Sequence, residues 1–403
     1  MKSFFPASAR VSFLLSDEEG RELVSVEPEQ LLMPASNLKV ATAAAALRCF
    51  GSLEAEPAPR SLLFCRGKIE RGIVHGDVEL RCFGALDFTG RFRGDFDARS
   101  AALSVSTAAL IDLLRRLDIR EIRGDLILSS DLAETPMPEY PCVSPYLWHE
   151  NTVEIDTGDR FRRLPEDEDF TFEWDASLSS QSRRSPSLVA LPLGPSSDFW
   201  RRENFSPAAL LRRELKRCLA AAGIPCRGVS FPVAAPVQIA VLTPSQPSLR
   251  DWLKPILFDS DNCRAELLGR HVARRAICSS WLPEIAAGGV LADGSGLSRD
   301  SRLSARQLVD LHLAMRRQFP AWSELFPLAG RDGTLRQRFR GGPWEGEFRG
   351  KTGSLNGVTS LSGSLADGRC LAILIEGADN AAAWKGFESL ALELNSRSWG
   401  TGE

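Results

Sequence analysis

The sequence predicts an α+β fold in which the two chain ends together build one antiparallel sheet covered by helices, with the middle of the chain inserted between them. Three observations carry this. VSFLLSDEEGRELVSV, residues 11 to 26, sets two apolar runs around a charged turn containing glycine, the pattern of a β-hairpin. Near the other end, EFRGKTGS, GVTSLSGSLA and CLAILIEG read as three strands, the last two joined by Asp367-Gly368, a strong hairpin signal. The long stretch between these ends has a different rhythm, short strands alternating with helices.

Taken in order, the hairpin feeds into MPASNLKVATAAAAL, residues 33 to 47, an Ala-rich helix-forming run, and SLEAEPAPR at 52 to 60 breaks the chain with Pro and Glu. From about 61 to 240 come SLLFCRGKIERG and GDVELRCFG as strands, TAALIDLLRRLDI as a helix and EIRGDLILSS as a strand, with GDV at 76 to 78 and GDL at 124 to 126 a faint echo of each other. The polar stretch 162 to 187 reads as loops and edge strands. SPAALLRRELKRCLAAAGIP places Ser206 at an N-cap, Pro207 at N1 and Gly223 with Pro225 at the stop of a helix. LSARQLVDLHLAMRRQFP is a helix capped by Ser304 and stopped by Pro320, with Leu308, Leu311 and Met315 on its apolar face, and a last helix starts at Asn380.

Composition bounds the function. The 403 residues are 43% hydrophobic and 25% charged, an ordinary globular balance large enough for two or three domains, and the net charge of −3 gives no general pull toward nucleic acid. Nine cysteines without C-x-x-C pairs do not read as a disulfide framework, and with four histidines they lack metal-ligand spacing, so no metal and no cofactor is expected. No apolar run reaches the roughly 18 residues of a membrane span. MKSFFPASARVSFLL is a poor secretory signal, lacking a long apolar core and a cleavage site.

Three short motifs carry chemistry. Ser36 and Lys39 stand three apart on one helical face, close enough to meet. Ser260-Asp261-Asn262 opens a helix continuing through Glu266, and Lys351-Thr352-Gly353 lies on a strand. Each has a plain reading as a helix cap or a solvated lysine. Together they do not: chance supplies an S-x-x-K on the order of once, but S-D-N or K-T-G only on the order of a few hundredths of a time. Two of only seven lysines (2, 39, 68, 216, 254, 351 and 385) fall in these motifs.

The residue types suit acyl transfer. A serine hydroxyl needs an adjacent base, and Lys39 serves if burial and a second cation, Lys351, depress its pKa. Ser36 at a helix start would offer its N–H to a developing oxyanion, with the N–H of Ser354 as second donor. Ser260 would relay a proton to a leaving amine, Asn262 would hold Lys39 and a substrate amide, and Lys351 with Thr352 would bind a substrate carboxylate beside Gly353. His149, next to Trp148, reads as a hydrogen-bonded structural histidine.

The set S-x-x-K, S-D-N and K-T-G resembles the active-site motifs of the penicillin-recognising serine enzymes. The separation of 224 positions from Ser36 to Ser260 resembles the long insertion of the D-alanyl-D-alanine carboxypeptidase/endopeptidase family of class C low-molecular-weight penicillin-binding proteins. LADGSGLSRDSRLSARQLVDL at 291 to 311 and Gly333-Thr334-Leu335 resemble further segments of that family. The resemblance implies a transpeptidase/β-lactamase-like domain from residues 1–55 and 241–403, one inserted domain from 56–85 and 150–240, and another from 86–149. It implies cleavage of peptidoglycan stem peptides outside the cytoplasmic membrane through an acyl-enzyme on Ser36, and acylation by β-lactams. Two other readings stay open: a β-lactamase or esterase on the same scaffold, for which no deacylation carboxylate is assigned, and a non-catalytic peptidoglycan-binding scaffold. Carboxypeptidase and endopeptidase preference and oligomeric state are not legible.

Overall fold

The hairpin near one end of the chain and the three strands near the other pair into one sheet. The computed structural model of the protein describes residues 2–55, 62–82, 86–89, 105–130, 135–137, 140–143, 146–148, 152–156, 162–164, 188–192, 207–230, 240–242, 248–273 and 288–397. His149 and Ser206, singled out in the sequence, lie outside these residues. The chain divides into one unit of Met1–Pro57 with Ser248–Glu403 and another of Ala58–Pro247.

Elements of the first unit, numbered along it, are β1 (Arg10–Ser16), β2 (Glu22–Val26), α1 (Leu38–Phe50), α2 (Leu249–Phe258), α3 (Asn262–Ala273), α4 (Ala305–Gln318), β3 (Phe348–Leu355), β4 (Val358–Leu365), β5 (Cys370–Glu376) and α5 (Asn380–Ser396). The sheet runs β3-β4-β5-β1-β2. Its pairings are antiparallel, and β1 joins the two ends of the chain by lying against β5, from Arg10 opposite Glu376 to Ser16 opposite Cys370.

The period of two along these strands divides the core in two. Leu14, Ala372 and Leu374 pack with α1, α2 and α4 on one face. Phe13, Leu15, Leu371, Ile373 and Ile375 pack with Phe387, Leu390 and Leu394 of α5 on the other. Each fully buried Leu, Ile or Phe contributes about 1.5–3 kcal/mol, and a one-residue slip of β1 would send all of its residues to the wrong face. In α1 the run Ala43–Ala46 is buried, small enough to let neighbouring helices approach on every side. Ser304 caps α4 in a reciprocal pair with Gln307, and the helix stops before Pro320, as its sequence predicts.

The second unit centres on a mixed five-stranded sheet in the order Cys226–Ser230, Glu121–Ser130, Ile73–Cys82, Leu62–Glu70, Ala240–Leu242. Helices Thr107–Arg116 and Pro207–Ala221 belong to this unit. The two Gly-Asp echoes lie side by side: Ile73–Cys82 and Glu121–Ser130 run parallel, and the Asp77 carboxylate accepts the Asp125 N–H at 2.8 Å. The three-domain division stays a proposal, with one detail added: residues 121–130, assigned above to the 86–149 domain, share a sheet with 62–82 and 226–230. Cys65, Cys218, Cys226 and Cys370 form no disulfide, whereas Cys49 is disulfide-bonded, which spacing alone does not reveal.

Candidate active site

Ser36 stands in a single 3-10 turn, Ala35–Asn37, that leads into α1. Pro34 begins this turn, and its carbonyl accepts the Asn37 N–H at 3.1 Å. Ala35 adopts φ 46°, a left-handed conformation that a residue with a Cβ rarely takes. Such strain persists only where the surroundings impose it, and it clusters at functional sites. One turn on, Lys39 is fully buried, and its Nζ lies 2.9 Å from Ser36 Oγ, 2.6 Å from Asn262 Oδ1 and 2.7 Å from the Ser295 carbonyl. Burial pulls its pKa down to about 7, against the opposing pull of Asp261, Asp293 and Glu266. When the amine is neutral its two N–H bonds serve the acceptors Asn262 Oδ1 and Ser295 O. The lone pair is then left facing the Ser36 hydroxyl.

The second corner of the site is built by α3 and β3. Asp261 caps α3, accepting the Arg264 N–H at 2.9 Å and pairing with the Arg264 guanidinium. Capping therefore falls to the middle residue of the motif, leaving Asn262 to hold Lys39 and Ser260, at φ 65°, to meet Lys351. Lys351 is fully buried on β3, with Nζ 2.9 Å from Ser260 Oγ and 2.8 Å from the Thr352 carbonyl. Burial, then the charge of Lys39, lowers its pKa well below the usual lysine value, with Asp259 opposing. The Thr352 hydroxyl is oriented by Thr334 Oγ1 at 2.9 Å.

The two corners meet at Gly353. A Cβ there would lie 2.3 Å from Ser360 Oγ, 2.8 Å from the Pro34 carbonyl and 3.0 Å from Ser36 N, so β3 approaches the Ser36 backbone as only glycine permits. On the other side Gly296, at φ 83°, sits where a Cβ would fall 1.9 Å from the Ala35 carbonyl. β3 is an edge strand whose Gly350 N–H points away from β4, to the Pro327 carbonyl at 3.2 Å. By the period of two, the Ser354 N–H faces that same outer edge, beside Ser36.

Residues outside the three motifs hold this arrangement. The Asp293 carboxylate gathers the N–H groups of Gly296, Leu297 and Ser298 and the hydroxyls of Ser295 and Ser301, fixing the loop whose Ser295 carbonyl holds Lys39. Glu266 spends one oxygen on the Gly294 N–H and the other on Arg270. Thr42 bonds the Gly294 carbonyl. Asp293, Thr334 and Glu266 lie in segments already singled out in the sequence; the anchoring of Gly294 by Glu266 and Thr42 becomes visible only through contacts between distant parts of the chain. No group of three or more His, Cys, Asp or Glu able to hold a metal occurs among the described residues, and none of their helices is long and apolar enough to cross a membrane.

Solved structures share this fold. The chain superimposes on the crystal structure of penicillin binding protein 4 (dacB) from Haemophilus influenzae, solved alone and complexed with a novel β-lactam, with TM-scores of 0.69 and 0.68 over 98% of both chains at 20–21% identity. It also superimposes on a predatory peptidoglycan endopeptidase from Bdellovibrio bacteriovorus, with a TM-score of 0.54 over 98% of this chain and 94% of that one at 16% identity. At such identities these likenesses show the fold alone, shared over nearly the whole of each chain. Two sequence findings go further. The D-Ala-D-Ala carboxypeptidase 3 (S13) family model matches residues 197–394, and the D-alanyl-D-alanine carboxypeptidase of Actinomadura sp. (strain R39) is 28% identical over 85% of this chain and 72% of its own length. Residues 197–394, which carry the S-D-N and K-T-G motifs, match the D-Ala-D-Ala carboxypeptidase 3 (S13) family.

Proposed function

We propose that this protein is a serine D-Ala-D-Ala carboxypeptidase or endopeptidase that cleaves peptidoglycan stem peptides through an acyl-enzyme on Ser36. One observation carries the reading: a fully buried lysine with its pKa drawn to about 7 lies 2.9 Å from a serine hydroxyl. In this reading neutral Lys39 takes the Ser36 proton as Oγ attacks the carbonyl of the penultimate D-Ala. The N–H groups of Ser36 and Ser354 stabilise the oxyanion, and each such donor is worth about 2.7–4 kcal/mol. The C–N bond breaks as Ser260 gives its proton to the leaving amine and recovers one from Lys351. Water then adds to the ester carbonyl, its proton passing through Ser260 back to Lys351, and as the C–O bond breaks Lys39 returns to Ser36 Oγ the proton it took.

Lys351 and the Thr352 hydroxyl, oriented by Thr334, would bind the substrate carboxylate, and Asn262 the substrate amide. Glu266, with both oxygens engaged by Gly294 and Arg270, is not free to activate a deacylating water, which argues against the β-lactamase reading. The work lies outside the cytoplasmic membrane, where peptidoglycan is; the disulfide at Cys49 fits an oxidising compartment.

Intact mass after incubation with benzylpenicillin tests this. The expected result is a stable adduct of one penicillin on the parent, none on Ser36→Ala, and D-Ala release from a peptide ending in D-Ala-D-Ala by the parent only. Hydrolysed penicillin with no adduct would favour the β-lactamase; intact penicillin with no adduct would favour a scaffold.

A further inference from the structure

Behind the nucleophile a chain of buried polar groups runs from Trp322, in the 3-10 helix Pro320–Leu325, through His312 of α4 to the Pro34 carbonyl. Trp322 Nε1 lies 3.2 Å from His312 Nδ1, His312 Nε2 3.0 Å from Ser362 Oγ, and Ser362 Oγ 2.5 Å from Asn37 Oδ1. Asn37 Nδ2 lies 2.8 Å from Ser360 Oγ, which is 2.6 Å from the Pro34 carbonyl. All five side chains are buried, so each link is sheltered from water. Ser360 and Ser362 point to one face of β4, opposite Gly353 and Lys351 of β3.

The direction of the chain is forced from both ends. The indole N–H can only donate, so His312 Nδ1 accepts and, in the neutral ring, Nε2 carries the proton. The Pro34 carbonyl can only accept, so the Ser360 hydroxyl spends its proton there and accepts from the Asn37 amide N–H. That turns Asn37 Oδ1 toward Ser362, whose hydroxyl donates to it and accepts from His312. Burial, with a smaller push from Arg316, lowers the His312 pKa to about 3, which keeps the ring neutral. The Pro34 carbonyl is held by Ser360 and by the Asn37 N–H, and it precedes the strained Ala35 and Ser36.

We propose that His312 is a positioning residue for Ser36, acting through Ser362, Asn37 and Ser360 to fix the turn that presents the nucleophile. The inference rests on the acyl-enzyme reading. A one-way chain of satisfied buried bonds specifies one conformation, and cutting it at His312 leaves Ser362 without a donor and frees the Asn37 amide to turn over. The loss then appears in the rate at which bound substrate acylates Ser36, since no member of the chain reaches the substrate.

The test is the acylation rate by benzylpenicillin per folded molecule, for wild type, His312→Phe, His312→Gln and Ser362→Ala, with melting temperatures measured alongside. His312→Phe keeps the volume and loses the donor, so acylation should slow about tenfold or more, with the affinity of the first complex and the pH profile unchanged. His312→Gln, which can donate to Ser362, should stay within about threefold of wild type. Should His312→Phe not fold, Ser362→Ala cuts the chain without a large cavity and should slow acylation to the same extent. Wild-type rates in Ser362→Ala, or equal slowing in His312→Phe and His312→Gln, would overturn the proposal. Absence of any adduct on the wild type is a separate result, which would remove the acyl-enzyme reading and this inference with it.

Discussion

Two corners of the site each hold a fully buried lysine 2.9 Å from a serine hydroxyl, and the electrostatics around them differ. Lys39 has three carboxylates in reach, Asp261, Asp293 and Glu266, which oppose desolvation and leave its pKa at about 7. Lys351 has Asp259 alone on its side and the charge of Lys39 against it. In the acyl-enzyme reading the same side chain is thus set by its neighbours to two tasks. At the helix corner it is poised to lose a proton near neutral pH; at the strand corner it would offer its N–H donors to Ser260 and to an incoming carboxylate. That reading needs two lysines, because one base cannot also hold the substrate's charge.

The largest expected break of this contrast is Lys39→Ala, which removes the base. Acylation by benzylpenicillin should fall about 10³-fold, in the range of lost general-base catalysis. In the parent, acylation should rise with pH through about 7, because the active form is the neutral amine. The variant should lose that limb; if it survives, another group is the base. Lys351→Ala should cost about 10²-fold, through the lost donor to Ser260 and to the substrate carboxylate. The acidic limb should stay near 7, because the charge of Lys39 lowers the Lys351 pKa whereas burial and carboxylates set that of Lys39, so the second cation expected from the sequence does not act there. A limb that moves would mean that the two lysines titrate together.

How far the sequence reveals these corners depends on the range of the contacts involved. The hairpin, the three-strand meander and the capped α4 are local patterns, and their positions in the fold follow from period and turn chemistry. The three motifs were legible because their residue types are rare in that combination. What was not legible is the part set by contacts between distant segments. No local rule gives the cap of α3 to Asp261 rather than to Ser260 or Asn262, since all three are good N-caps. The turn at Ser36 is 3-10 because Pro34 and the close approach of Gly296 and Gly353 shape it, and both glycines lie more than 250 residues away. Lys39 looks like any helical lysine until the Ser295 carbonyl, 256 residues further on, is placed against it.

Gly353→Ala tests the seam between the corners. The added methyl meets the Ser360 hydroxyl and the Pro34 carbonyl well inside van der Waals distance, so β3 must move away from Ser36 or the turn must shift. Overpacking of this kind costs about 1–3 kcal/mol of stability, and a displacement near 1 Å costs up to about 10²-fold in rate. Both should be seen together, by calorimetry and by acylation kinetics. Full activity in this variant would show that the close approach does not hold the two corners in register.

The finest adjustment of the contrast is Glu266→Gln. The glutamine oxygen can still accept the Gly294 N–H, so the loop that holds Lys39 keeps its anchor, while one negative charge near the ammonium is lost. Of the three carboxylates that favour charged Lys39, Glu266 is the weakest, so the shift should be small and its sign is the content of the prediction. With less stabilisation the ammonium gives up its proton more readily, the neutral base appears at lower pH, and the acidic limb moves down by less than about one unit. Acylation on the acid side should therefore rise a few-fold while the plateau rate is unchanged. If instead the plateau falls and the limb stays in place, Glu266 matters through the Gly294 loop alone, and the depressed pKa of Lys39 is governed by its burial and the two aspartates.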